Sequence, residues 1–201
     1  MYKLSKYRAV IIGCSSGGED ALTQLVRELP KNFSLPIIII QHLGDDSDDY
    51  LAKSLQKKTT LNTCQAFSNL PIVSGTIYTA PANYHLLVGD DNTFNLSLEA
   101  PVNFSRPSID VSFTSAAEVY SNELIGIILS GANSDGCSGL KKIKHQGGLT
   151  IVQDPKTTKY TVMPKMAINK VKPAKVMSPK EIGIYLTKIN QQIRTKDGES
   201  S

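Results

Sequence analysis

Short apolar runs alternate along the chain with stretches whose apolar residues recur every three to four positions. The first run covers residues 8–13 (RAVIIG). The second, residues 36–41 (PIIIIQ), is apolar almost throughout. An unbroken run of that kind belongs to a strand buried on both faces, as in a parallel sheet covered by helices. Between the two, Ala21, Leu22, Leu25, Val26 and Leu29 share one helical face and Pro30 ends the pattern, which predicts a helix over 17–29. Further helices are predicted over 48–58, 108–120, 138–146 and 163–169, a buried strand over 124–130, and strands over 149–153 and 174–177. Ser178-Pro179-Lys180-Glu181 is a capping box with proline at the first helical position, and it opens a last helix to about Ile193.

The middle of the chain reads differently. Residues 62–66 and 76–80 have the look of short strands. Residues 85–88 and 94–98 alternate around Gly89-Asp90-Asp91-Asn92, a hairpin signal. An antiparallel excursion is expected here, after which the βα alternation resumes. The whole pattern predicts an α/β fold: a doubly wound, mainly parallel sheet with helices on both faces and an inserted antiparallel β-hairpin. With no repeat and no linker in 201 residues, a single domain over 1–193 is expected, followed by a polar C-terminal tail over 194–201.

Composition narrows the class. Hydrophobic residues at 40% and charged residues at 20% exclude a disordered or coiled-coil chain. The apolar runs fall far short of the roughly 20 residues a membrane span needs, and the N-terminus does not read as a signal peptide. Cys14, Cys64 and Cys137 are widely spaced, with neither a disulfide framework nor a zinc pattern, so no metal is expected and a cytoplasmic location fits. Charge is uneven: thirteen Lys/Arg face four Asp/Glu from Lys141 onward, against nine and fourteen before it. The lysines are scattered and lack interleaved aromatics, so a solvated face or an acidic protein partner is expected rather than nucleic acid. The run Asp45-Asp46-Ser47-Asp48-Asp49 lacks the glycine and the bidentate glutamate of a calcium loop, and reads as an acidic helix start.

Candidate chemistry sits at strand ends. Sites in open parallel sheets form beyond the carboxyl ends of the strands. Gly13-Cys14-Ser15-Ser16-Gly17-Gly18 follows the first strand, Gln41-His42-Leu43 the second, and Gly131-Ala132-Asn133-Ser134-Asp135-Gly136 the strand over 124–130. A serine, a histidine and an aspartate on one sheet edge make up a nucleophile, a general base and an orienting carboxylate. Ser15 precedes a helix N-terminus, where unpaired N–H groups favour an oxyanion. Plainer readings stand beside this one. Ser15 or Ser16 could cap the helix, Gly13-x-x-x-Gly17-Gly18 could be a degenerate phosphate loop, His42 could be structural, and Asp135-Gly136 is a common turn pair. His85 is expected to be structural or near the rim, and His145 to lie on a surface helix.

At these residues the chain resembles the catalytic domain of chemotaxis protein-glutamate methylesterases (CheB type). The matching pieces are Ile12 to Gly18, Gln41-His42, Thr79-Ala80-Pro81 with His85, Arg106-Pro107-Ser108-Ile109-Asp110, Leu129-Ser130-Gly131 with Asp135-Gly136, and Met163-Pro164 with Ala167. The resemblance implies Ser15 as nucleophile, His42 as base and Asp135 as third member of a triad, with Ser16, Gly17 and Ala132 near the oxyanion. It implies hydrolysis of glutamyl methyl esters on chemoreceptor cytoplasmic helices, deamidation of receptor glutamines in some members, and no cofactor. The alternative is a binding module of the same fold without turnover. Two departures stand out. Ala132 replaces the family's methionine, leaving a backbone donor intact, and Ser16 replaces a threonine, keeping a hydroxyl. Only about seven residues precede the first strand, so the receiver domain usual in the family is expected to be missing here, which leaves regulation to a separate partner.

Overall fold

The structure, a computed structural model, describes residues 7–42 and 49–198. Its elements are β1 (Ala9–Cys14), α1 (Gly18–Val26), β2 (Ile37–Gln41), α2 (Tyr50–Gln56), β3 (Asn62–Gln65), β4 (Thr76–Thr79), β5 (His85–Val88), β6 (Phe94–Ser97), α3 (Ile109–Tyr120), β7 (Leu124–Ile128), α4 (Cys137–His145), β8 (Leu149–Gln153), α5 (Val162–Val171), β9 (Lys175–Met177) and α6 (Pro179–Gly198). Seven strands form one parallel sheet in the order β3-β4-β2-β1-β7-β8-β9. β5 and β6 pair apart from it as an antiparallel hairpin.

The period of two along β1 explains the layers. Val10, Ile12 and Cys14 enter one core with Leu22 and Leu25 of α1, Leu51 and Leu55 of α2, and Ile182 and Leu186 of α6. Ala9 and Ile11 enter the other with Phe113 of α3, Leu140 of α4 and Met163 of α5. The strand is therefore apolar at every position because each face has its own helical layer. Because β2 and β7 flank β1 on opposite sides, the chain reverses its direction of travel across the sheet there. That switch point opens a crevice at the carboxyl ends of these strands.

The expected antiparallel excursion proves narrower than the pattern implied. β3 and β4 belong to the parallel sheet, Ile77 pairing with Ile37 and Thr63 with Ile77. Among the strands of the described residues, only β5 and β6 run antiparallel. Four-residue strands carry no mark of direction; the alternation of β4, with Ile77 in one core and Tyr78 in the other, fits either one. The hairpin turns where predicted, with Gly89 N–H donating to the Thr93 carbonyl at 2.9 Å and Asn92 at φ 60°. It rests on α3 through Leu86, Val88 and Phe94, the last edge-on to Tyr78 at 4.9 Å between ring centroids.

The final helix also differs. It continues past Ile193 to Gly198 because its polar groups are held against the turn that follows α1. Asn190 Oδ1 accepts from the Ser34 amide and hydroxyl at 2.8 and 2.7 Å, and Arg194 Nη1 donates to the Asn32 carbonyl at 3.0 Å. The acidic run over 45–48 and the expected helix start at 48 lie outside the described residues. Among those residues, no helix is long and apolar enough to cross a membrane.

Gly183 gives the packing a sharp test. A Cβ there would stand 2.4 Å from the Leu25 carbonyl oxygen, which α1 cannot withdraw. Alanine in a helix normally gains about 1 kcal/mol over glycine. Here Gly183→Ala should instead destabilise by about 1–3 kcal/mol through overpacking. Urea unfolding measures this, and a variant as stable as wild type would mean that α1 and α6 can separate without cost.

Candidate active site

The site is built on a buried anion. Asp135 is fully buried and lies one residue before Gly136, whose φ of 92° caps α4. Its carboxylate faces the N-terminus of α3, where the first backbone N–H groups of a helix have no internal acceptor. Ile109 N–H donates to Oδ2 at 2.6 Å and Asp110 N–H to Oδ1 at 3.2 Å. The Ser108 hydroxyl, on the N-cap residue of α3, donates to Oδ1 at 3.0 Å, and Asn103 Nδ2 does so at 2.8 Å. His42 Nε2 completes the set, 2.9 Å from Oδ2. Burial pushes the Asp135 carboxyl up. The hydrogen bonds from His42, Asn103, Ile109 and Asp110 outweigh it, and the group is held below the usual carboxylate range.

A carboxylate can only accept, so the proton of neutral His42 stands on Nε2 and Nδ1 keeps its lone pair. Asn133 Nδ2 lies 3.2 Å from that Nδ1, while Asn133 Oδ1 accepts from the Asp135 amide at 3.2 Å. The two contacts together fix which way the Asn133 amide faces. The His42 side chain is 13% exposed, so the ring is reachable from solvent at its outer edge.

Ser15 and His42 follow Cys14 and Gln41, the paired last residues of β1 and β2. The His42 N–H donates to the Cys14 carbonyl at 3.2 Å, which holds the end of β2 against the residue before Ser15. Ser15 and His42 line one cleft of about 340 Å³ with Ser16, Gly17 and Gln41. Among the described residues, Ser15 Oγ has no hydrogen-bond partner. The turn that presents it is fixed from below. Ser15 N–H donates to the Ser130 carbonyl at 2.9 Å, and the Ser130 hydroxyl donates to the Ser16 carbonyl at 2.7 Å. Gly17 adopts φ 73°, and a Cβ there would meet Ser130 Oγ at 2.8 Å and the Tyr160 ring at 2.9 Å, so the position demands glycine. Among the described residues, the N–H groups of Ser16, Gly17 and Ala132 have no acceptor. Those donors at a helix N-terminus suit a developing negative charge.

Cys14 points the other way. It is fully buried, its Sγ lies 3.6 Å from Gln41 Oε1, and burial pushes its thiol far up. A thiol so held is no nucleophile. His85 is likewise structural: its Nε2 donates to the Ala100 carbonyl at 3.1 Å and its Nδ1 accepts from Ser108 N–H at 3.1 Å. His145 is exposed at the end of α4. Among the described residues, no group of three His, Cys, Asp or Glu could hold a metal ion.

The structure thus brings Ser15, Ser16, Gly17, His42 and Asp135 to one sheet edge, with Ala132 in the loop that carries Asp135. Sequence reading assigned no role to Asn103, Asn133, the Ser108 hydroxyl or the α3 amides. Ser108 was legible as a helix cap, sitting after Pro107 at the head of an amphipathic run. Nothing local marks Asn103, because its partners lie 7 and 32 residues away.

Comparison with known proteins places this arrangement. The family model described as CheB methylesterase matches residues 10–186. A protein of Leptospira interrogans with the provisional name protein-glutamate methylesterase/protein-glutamine glutaminase is 46% identical over 185 residues, covering 92% of this chain and 96% of its own. The protein-glutamate methylesterase FrzG of Myxococcus xanthus is 37% identical over 81% of the chain, which spans about half (48%) of that longer protein. The crystal structure of the Thermotoga maritima CheB methylesterase catalytic domain superposes with a TM-score of 0.88 at 32% identity, over 91% of this chain and 98% of that one. By sequence and fold, the chain belongs to the CheB methylesterase family.

Proposed function

We propose that the chain is a serine hydrolase that removes methyl esters from glutamate side chains of chemoreceptor cytoplasmic helices, and deamidates receptor glutamines by the same route. The observation that carries the reading is the 2.9 Å pair between His42 Nε2 and buried Asp135 at the end of the strand beside Ser15. Membership of the methylesterase family and the names of the relatives supply the substrate class.

The chemistry follows from the atoms. Ser15 Oγ attacks the ester carbonyl while its proton passes to His42 Nδ1, which exchanges its contact with Asn133 Nδ2 for the Ser15 hydroxyl. The imidazolium so formed keeps its Nε2 proton on the Asp135 carboxylate, which stabilises the added charge. The tetrahedral oxyanion faces the unpaired N–H groups of Ser16, Gly17 and Ala132. Nδ1 returns its proton to the methoxide, and methanol leaves with an acyl-Ser15 behind. Water then loses a proton to Nδ1, attacks the acyl carbon and releases the glutamate with Ser15 restored. With a glutamine substrate the leaving group is ammonia. No cofactor enters either half.

Methanol release from a methylated receptor fragment tests the proposal. Ser15→Ala should abolish release above the uncatalysed level. Wild-type release that survives Ser15→Ala would overturn the assignment of the nucleophile.

Asp135→Asn should cost something like the ~10⁴-fold seen when a triad aspartate is neutralised. An asparagine has one acceptor oxygen and brings an N–H₂ against donors, so it reverses the His42 tautomer. The unpaired donors at the head of α3 should also cost about 1–3 kcal/mol of stability. Circular dichroism establishes that the variant is folded before rates are compared. A loss below about tenfold would mean that another group orients His42.

The same carboxylate sets a pH dependence of folding. Its folded pKa is depressed, so its stabilisation is complete above the unfolded carboxylate value of about 3.9 and fades as pH falls through the folded value. Urea midpoints of the wild type should drop on acidification below about pH 4, and those of Asp135→Asn should drop less. Parallel curves would show that Asp135 is not the linked group.

A further inference from the structure

Between the hairpin and α3 the chain makes a second, tighter turn. Val102 N–H donates to the Ser105 carbonyl at 3.1 Å, and Ser105 N–H to the Val102 carbonyl at 3.0 Å. The two residues inside, Asn103 and Phe104, have φ of 53° and 61°. A two-residue turn with both central φ positive is the slot for Asn-Gly. Asn103 suits it. Phe104 does not, since a Cβ in the left-handed region costs about 1 kcal/mol or more that glycine would avoid.

No packing offsets that cost. Phe104 is completely exposed, at 104% of a reference phenylalanine residue. Val102, at the base of the same turn, and Leu98, earlier in the connection, are exposed as well, at 39% and 66%. Scattered apolar side chains on a surface need no explanation. A strained, fully exposed phenyl at the tip of a rigid turn, with apolar neighbours, is a different matter.

The turn is rigid because it is bolted to the site. Asn103 Nδ2 donates to Asp135 Oδ1 at 2.8 Å and to Asp110 Oδ2 at 3.0 Å. On the other flank Arg106 Nη1 donates to the Leu98 and Glu99 carbonyls at 2.9 and 3.1 Å. Phe104 and His42 line one cleft of about 320 Å³, and His42 is also a wall of the cleft that contains Ser15. The cleft that Phe104 lines is therefore the neighbour, across His42, of the cleft that holds Ser15, and a polypeptide carrying the ester has surface to lay there that a free amino-acid ester lacks.

We propose that Phe104 is a docking residue for the polypeptide that carries the ester, a specificity element that small esters do not use. The inference rests on the esterase reading above and adds to it a residue that contacts the substrate outside the esterified side chain. The occupant is the apolar part of the substrate helix next to the esterified glutamate. A phenyl held in place before binding loses little freedom on contact, which is how a rigid anchor contributes affinity.

The test replaces Phe104 by glycine, the residue the turn itself prefers. The probe is a chemoreceptor cytoplasmic fragment methylated in vitro. Its Kd is measured in a Ser15→Ala background, and kcat and KM in a Ser15 background. Phe104→Gly should weaken Kd and raise KM about tenfold or more, the scale of one lost phenyl contact, with kcat on the fragment nearly unchanged. Turnover of a small glutamate methyl ester should change less than twofold. Tm should equal or exceed the wild-type value, because relief of the left-handed strain offsets the added freedom of glycine in the unfolded chain. Equal Kd for both forms would overturn the docking role while leaving the esterase reading intact. Loss of small-ester turnover in step with Kd would also overturn it, since Phe104 would then shape the reacting pocket. Sedimentation that shows a wild-type dimer lost in Phe104→Gly would assign the surface to self-association instead. No methanol from the wild type on the fragment would remove the esterase reading and the docking role together.

Discussion

Everything at the sheet edge is organised around one buried negative charge. An isolated carboxylate in the interior would cost several kcal/mol and would take up a proton instead. Asp135 stays ionised because a helix begins in front of it. The two leading amides of α3, the cap hydroxyl of Ser108 and the amide of Asn103 converge on its oxygens. His42 is one donor more, so its ring is oriented by a charge already satisfied elsewhere. The arrangement separates two tasks. The α3 terminus solves the desolvation problem, which leaves the Asp135–His42 bond to choose a tautomer.

The reach of the sequence divides along the same line. The parallel α/β class and the Ser15, His42, Asp135 edge were legible because each residue follows an apolar run that announces a strand, Ser15 and His42 within two positions and Asp135 five positions on. The serine and the histidine are the residues just past β1 and β2, and their proximity follows from parallel pairing alone. Asn103 and Asn133 were not legible. Their roles arise from loops folded back over the edge, and a loop amide carries no periodic mark. The parallel setting of β3 and β4 was lost for another reason. Alternation along a strand sorts its side chains between the two cores but carries no direction, which is set by the connections on either side. The length of α6 escaped because Asn190 and Arg194 extend it through bonds to residues some 160 positions earlier.

The residues flanking the serine show how strand geometry sorts chemistry. Cys14 and Ser15 are neighbours, and a thiol is intrinsically the better nucleophile. Yet Cys14 is the last residue of β1 and points into the α1 layer, where a Cβ on Gly18 would touch its sulfur at 2.6 Å. Burial keeps it protonated and out of reach. One position later the chain has left the strand, and the hydroxyl of Ser15 opens to the cleft. The end of a β-strand thus buries the sulfur and exposes the oxygen.

Asp110 and Asp135 share the Asn103 amide and are pushed in opposite directions. Burial and then the charge of Asp135 raise Asp110, although the Gly139, Asn103 and Ser138 donors pull it down. Asp135 feels burial too, but holds His42 and more of the α3 terminus, and ends below its ordinary value. Two carboxylates this close repel when both are ionised, and the less well-supplied one takes the strain. The linkage signs are therefore opposite. The contribution of Asp135 fades as acid reaches its folded pKa, whereas that of Asp110 is full below its unfolded pKa and is lost as pH rises through its elevated folded value. Near neutrality the protein bears the Asp110 penalty and keeps the Asp135 gain. That asymmetry places the firmly ionised carboxylate, and not its neighbour, against the imidazole, where a permanent charge is needed.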